Sequence, residues 1–245
     1  MDPNVNQITS AGLAVAFIPA AIAVIIMFRW AAGAGTAVYA TARMLVQLLL
    51  IGYVLVYIFD AESPAIIVAV LTVMVVVASL IAIRPVRQTQ PGAYRLAFVA
   101  VSISSLLTLA LVTQGVLMLE PWFSPRYVVP LAGMIVAGSM NAVSLAAERY
   151  QSERASGVPQ DKARTAALQA SLIPIVNSLF AVGLVSLPGM MTGQILSGIS
   201  PLIAAKYQIV VMTMLFGASG IAASIYLELA GRREPGVGSG PAEPD

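Results

Sequence analysis

The sequence contains neither cysteine nor histidine. Their absence excludes disulfides, thiolate and imidazole metal sites, Ser-His and Cys-His nucleophilic arrangements, and iron-sulfur or haem attachment through those ligands. Charge is scarce as well: Asp, Glu, Lys and Arg make up 10% of the chain, against roughly a quarter in a soluble domain. No G-x-x-x-x-G-K-[ST] run occurs, and neither Lys162 nor Lys206 follows a glycine, so the chain has no P-loop for ATP. No basic cluster alternates with aromatic residues, which leaves no nucleic-acid footprint.

What the chain has is apolar sequence. Of its 245 residues 59% are hydrophobic, and the mean hydropathy is +0.89, the composition of a multi-pass protein of the inner or plasma membrane. Nothing before Arg29 is basic, so the first apolar stretch lacks the positive flank of a cleavable signal and is expected to be retained. Segments long enough to span, about 20 residues each, fall at 9–29, 43–59, 64–83, 96–118, 127–147, 171–198 and 207–229. Pro174 and Pro188 divide the sixth, for which a broken or re-entrant helix also fits. The expectation is an all-α fold of six or seven transmembrane helices.

Orientation follows from the basic residues. With the N-terminus outside and the C-terminus inside, eleven of the thirteen Lys and Arg residues lie on the cytoplasmic side, and only Arg126 and Lys206 face out. Residues 1–233 form the membrane domain in this reading. The tail at 234–245, EPGVGSGPAEPD, is expected to be disordered.

One cytoplasmic segment is long enough to do more than connect. Residues 148–170 carry seven charged side chains between Glu148 and Arg164. Their pattern predicts a helix ending near Ser156 and Gly157, a turn at Val158 and Pro159, and a second helix from Gln160. The resulting elbow, lying on the membrane surface, is either a solvated connector or a docking element for a cytoplasmic partner.

Inside the spans Asp and Glu are absent except for Glu228 at an end, so a relay of buried carboxylates has no residues to run on. The polar groups that remain include Asn141, Asn177, Ser186, Thr192 and Gln194, which serve interhelical packing or line a path. Met134, Met140, Met190 and Met191 are apolar filler or thioether ligands for a soft metal. Pro188 and Gly189 break an apolar run at GLVSLPGMMTG, Gly183 to Gly193. In hydrocarbon such a break needs cover from protein or water, which makes Ser186, Pro188, Gly189, Met190, Met191, Thr192 and Gln194 candidate pathway residues with Asn141 and Asn177. Gly189 and Gly193 form a G-x-x-x-G, and residues 217–224 are rich in small side chains, both patterns of close helix packing within a subunit or across a dimer.

The runs Leu172 to Pro201, Ala204 to Leu215, Thr41 to Phe59 and Val128 to Gly138 resemble the membrane subunit of FetB-type iron-export ABC transporters. The resemblance implies a permease, present as a homodimer in membrane lipid, that pairs with a separate cytoplasmic ABC ATPase. ATP and magnesium would sit on that ATPase, with no cofactor and no catalytic site on this chain. It also implies that the elbow is a coupling loop, with Glu153, Gly157 and Ala163 in the acidic, turn and small positions among Pro159, Gln160, Asp161, Lys162 and Arg164. The chain departs from the bacterial pattern at Asn177 and Phe180, where an intramembrane charge pair is missing. A metal-ligating set is not defined by these residues. A gradient-driven carrier or channel, or a membrane scaffold that moves no solute, are the alternatives.

Overall fold

The computed structural model describes residues 9–60 and 63–233. The tail at 234–245, and Asp2 and Glu62, lie outside the described residues. All described secondary structure is helical apart from one isolated bridge pair, Val182 and Ser186. The chain divides into two units, residues 1–60 and 61–245.

In the first unit, α1 (Ser10–Ala16) and α2 (Ile18–Arg29) share the first apolar segment. Pro19 lacks the N–H that would continue the ladder from α1, and Phe17 takes the hinge position between the helices. Helix α3 (Ala34–Phe59) begins nine residues earlier than the apolar run suggested, because AGTAVYATA continues a good helix despite its lower hydropathy.

The second unit holds α4 (Pro64–Ala82), α5 (Ala93–Ala110) with a π-helical extension at Leu111–Val116, α6 (Pro125–Ala155), α7 (Gln160–Ala181), α8 (Gly189–Leu196) and α9 (Pro201–Arg233). Its core lies where α4, α5, α6 and α9 meet, among small residues such as Ala97, Ala100, Ala146 and Ala222, all fully buried. Small side chains let backbones approach, the usual basis of helix association in lipid. At the centre the Ser104 and Ser139 hydroxyls lie 2.8 Å apart, and Ser104 donates to the Ala218 carbonyl at 3.0 Å, joining α5, α6 and α9. A Cβ on Gly138 would stand 3.3 Å from both Leu215 Cδ2 and Ser219 Oγ.

Six helices among the described residues are long and apolar enough to cross a membrane. Helix α7 is not one of them, because Asp161, Lys162 and Arg164 occupy its first turns. It nevertheless runs from one end of the unit toward the other. Gln160 meets Gly231 at the C-terminal end of α9, and α8, which follows α7, packs beside the start of α9. The 22 residues of α7 cover about 33 Å at 1.5 Å per residue, giving the second unit five traverses. The expected sixth span at 171–198 is therefore two helices, α7 and α8, separated by the turn at Val182–Pro188.

The ends sort by charge. Arg84, Arg87 and Arg95 flank the α4–α5 turn, whose Gly92 carbonyl is held by Arg233, and the elbow's basic residues share that end through Gln160 and Gly231. Arg126 and Lys206, at the starts of α6 and α9, mark the other end. This is the distribution the positive-inside reading requires.

Candidate functional site

The elbow is the tip of a helical hairpin. Helix α6 runs unbroken for 31 residues, about 46 Å, so its last turns project past a hydrocarbon core of about 30 Å. The expected surface-lying helix pair is therefore the continuation of two traverses. Helix α6 closes in a Schellman arrangement: Val158 N–H donates to the Glu153 carbonyl and Gly157 N–H to that of Arg154, each at 3.1 Å. Gly157 has φ +80°, the left-handed conformation that such a cap requires. Arg154 donates to the Val158 carbonyl at 2.9 Å and braces the turn. Pro159 then occupies the position before α7, its carbonyl accepting from Ala163 N–H at 2.9 Å, and Asp161 sits in the first turn, where the helix dipole favours an acid.

The eight candidate coupling residues separate into two groups. Gly157, Pro159, Asp161 and Lys162 are exposed at the tip. The others face the protein: Glu153 pairs with Arg149 at 2.5 Å, Ala163 is fully buried, Gln160 donates to the Gly231 carbonyl at 2.8 Å, and Arg164 pairs with Glu228. Glu228 and Gly231 were not anticipated as partners of the elbow. The charge pair Glu228 and Arg232, four residues apart, marked that helix end in the sequence, but nothing local announced Gly231.

The candidate pathway residues lie toward the other end. A cavity of about 300 Å³ between α6, α7 and α9 is lined by Met134, Gly138, Asn141, Pro174, Ser178 and Ser219 among others. Above it, a cavity of about 160 Å³ between α6, α8 and α9 is lined by Arg126, Tyr127, Met134, Met190, Gln194 and Tyr207 among others. Met134 belongs to both. Along α6 the stripe Tyr127, Pro130, Met134, Gly138, Asn141 and Leu145 forms one wall, at the three- and four-residue spacing of a single helix face. The Gln194 side-chain oxygen is buried without a hydrogen-bond partner. Thr192 turns its hydroxyl back to the Pro188 carbonyl at 3.1 Å, and Met191 is half-buried.

Asn177, Ser186, Pro188 and Gly189 line neither cavity. The break lies at the outer end of α7, at the level of Arg126 and Tyr207, which α8 neighbours. Four backbone hydrogen bonds from Gly183, Leu184, Val185 and Ser186 tie the turn to itself and to Ala181. Beyond Ser171 no residue of α7 is buried, and α8 buries none. Phe180, Leu184 and Val185 are 79%, 92% and 84% exposed. A Cβ on Gly189 or Gly193 would meet nothing within 4 Å, so their G-x-x-x-G makes no close packing within the chain. A further cavity, about 660 Å³ beside α4, α5 and the π-helical turn, is lined mainly by apolar residues with Thr72, Ser102, Thr113 and Gln114, and contains none of the candidate residues.

The sequence of residues 8–234 matches the model of the uncharacterised protein family UPF0014. The chain belongs to this family. It is similar to the probable iron export permease protein FetB of Escherichia coli, at 31% identity over 94% of this chain and 93% of that protein. It is also similar to the UPF0014 membrane protein STAR2 of Oryza sativa, at 35% identity over 79% of this chain and 72% of that one. The UPF0014 membrane protein YjkA of Bacillus subtilis is 36% identical over 71% of this chain and 74% of its own length. No solved structure matches. This UPF0014 chain is a multi-pass membrane protein of a family that includes a probable permease.

Proposed function

We propose that the chain is the membrane-embedded permease of an ATP-driven exporter whose cargo is iron or another metal ion. The observation that carries the reading is the continuity of α6. Its middle turns line both cavities, and its last turn builds the elbow, so a push at the elbow bears directly on the groove wall. The chain has no P-loop, and the energy is supplied by a separate cytoplasmic ABC ATPase that binds ATP and magnesium and docks on Gly157, Pro159, Asp161 and Lys162. Among the described residues no three His, Cys, Asp or Glu side chains cluster. Cargo would therefore meet thioethers and amide oxygens of Met134, Met190, Asn141 and Gln194, weak ligands suited to passage rather than storage. A gradient-coupled carrier would need buried ionisable groups, which the spans lack.

Two copies assemble in this reading. Asn141 and Pro174 are exposed in the single chain, so the groove is open on one side. The outer half of α7, the turn and α8 present apolar side chains and the polar Asn177 on an uncovered face. A second copy covers that face and closes the groove. Asp161→Lys combined with Lys162→Glu tests the docking surface, since both side chains are exposed and stability should not change. The ATPase should co-purify with the parent chain and much less with this variant. Equal recovery would remove the elbow from the docking surface.

A further inference from the structure

The elbow and the α4–α5 turn are about seventy residues apart in sequence, yet both are fastened to the last two turns of α9. On one side Gln160 donates to the Gly231 carbonyl at 2.8 Å, and Glu228 pairs with Arg164. On the other, Arg233 donates to the Gly92 carbonyl at 3.0 Å and the buried Tyr226 donates to the Gln90 side-chain oxygen at 3.2 Å. Glu228 also accepts from Arg232 at 3.1 Å. A Cβ on buried Gly231 would collide with the Gln160 amide and stand 3.2 Å from Arg164 Nε, so a side chain there would push the Gln160 amide out of its place on the Gly231 carbonyl. Beneath the polar ties Val86, Ala93, Ala163 and Ala230 belong to one buried cluster, which joins the same three segments through apolar contact.

We propose that Glu228, Gly231 and Arg233 are positioning residues that bind the elbow to the α4–α5 turn, so that both cytoplasmic connections move as one body. The inference rests on the elbow being the docking element. An ATPase that displaces the elbow then displaces α5 together with α6 and α7. The stroke reaches the bundle through three helices instead of one hairpin. Polar ties at a wet surface are individually weak, and what makes this set a joint is that α9 supplies every one of them.

Because the chain has no cysteine, Gln88→Cys and Thr165→Cys introduce the only thiols for spin labels, both at exposed positions outside the tie. Pulsed dipolar distances are measured in the permease alone and in its complex with the ATPase, nucleotide-free and trapped with ATP and vanadate. In the parent complex the label separation should change by less than about 5 Å, one helical pitch, between the two states. Gly231→Leu should broaden the distribution even without the ATPase. Glu228→Arg should broaden it too, and adding Arg164→Glu should narrow it again, a rescue that general loss of packing would not give. A larger shift in the parent complex, or a charge swap without rescue, overturns the proposal. Failure of the ATPase to bind the parent chain would count against the docking reading alone, since the distributions of the isolated permease still report on the tie.

Discussion

Met134 and Asn141 stand two helical turns apart on one face of α6, and through Met134 the cavity that contains Asn141 adjoins the outer cavity beside α8. Together they place a thioether and an amide along one wall of that groove.

If that groove is the route, thiol chemistry can follow it on a chain free of native cysteine. Met134→Cys and Asn141→Cys should react with a small membrane-impermeant thiol reagent at rates that change when the ATPase turns over. Ala137→Cys, exposed on α6 but lining neither cavity, should react slowly and without response to ATP. Equal reactivity at all three positions would count against the groove.

Gln194 and Gln208 each bury a side-chain oxygen without a partner, but of the two only Gln194 lines the groove described above. A buried unsatisfied amide costs about 1–3 kcal/mol, so Gln194→Leu and Gln208→Leu should both leave the melting temperature unchanged or raised. Flux should fall several-fold in Gln194→Leu and persist in Gln208→Leu. Loss of flux in both would place the two amides in one structural role.

Gly157 holds the left-handed position that ends α6. A side chain there costs about 1–2 kcal/mol, and a β-branched one more. Gly157→Val should lower the thermal midpoint and weaken recovery of the ATPase, whereas Gly157→Asn, which tolerates this conformation better, should retain most of both. Thermal unfolding and co-purification measured on the same preparations decide it.

The serine pair at the centre of the bundle has a purely structural expectation. Ser104→Val removes the bonds to Ser139 and to the Ala218 carbonyl and should cost on the order of 1 kcal/mol, the usual scale for interhelical hydrogen bonds in membranes. Gly138→Val, which drives methyl groups toward Leu215 and Ser219, should cost about 1–3 kcal/mol by overpacking. Thermal midpoints in one detergent rank the two variants, and the serine variant falling further would be the wrong order.

Length and hydropathy made most of the helices legible, because a spanning helix must satisfy its backbone internally and present an apolar surface. The helix end at Gly157 and the restart at Gln160 were readable for a related reason: glycine and proline act locally on φ and on the N–H. The course of α7 was harder to see. Its charged first turns lie outside the hydrocarbon, so the apolar segment at 171–198 showed that a span is there but neither its start at Gln160 nor its end at Ala181. The position of the Pro188–Gly189 break at the outer end of that traverse, instead of deep among the helices, depends on where α7 begins and could not be read from the apolar run alone. Nor could the partition of the elbow residues. Whether Ala163 is buried or Lys162 exposed depends on α9, which lies far along the chain.

The most direct test of the account is ATP-driven flux in sealed vesicles containing this chain and its ATPase, with iron(II) and unrelated metal ions supplied in parallel. The account predicts transport of a metal ion that requires ATP and both proteins and stops when the ATPase cannot hydrolyse. Flux that continues with the chain alone, or no movement of any metal ion in an ATP-hydrolysing complex, would contradict it.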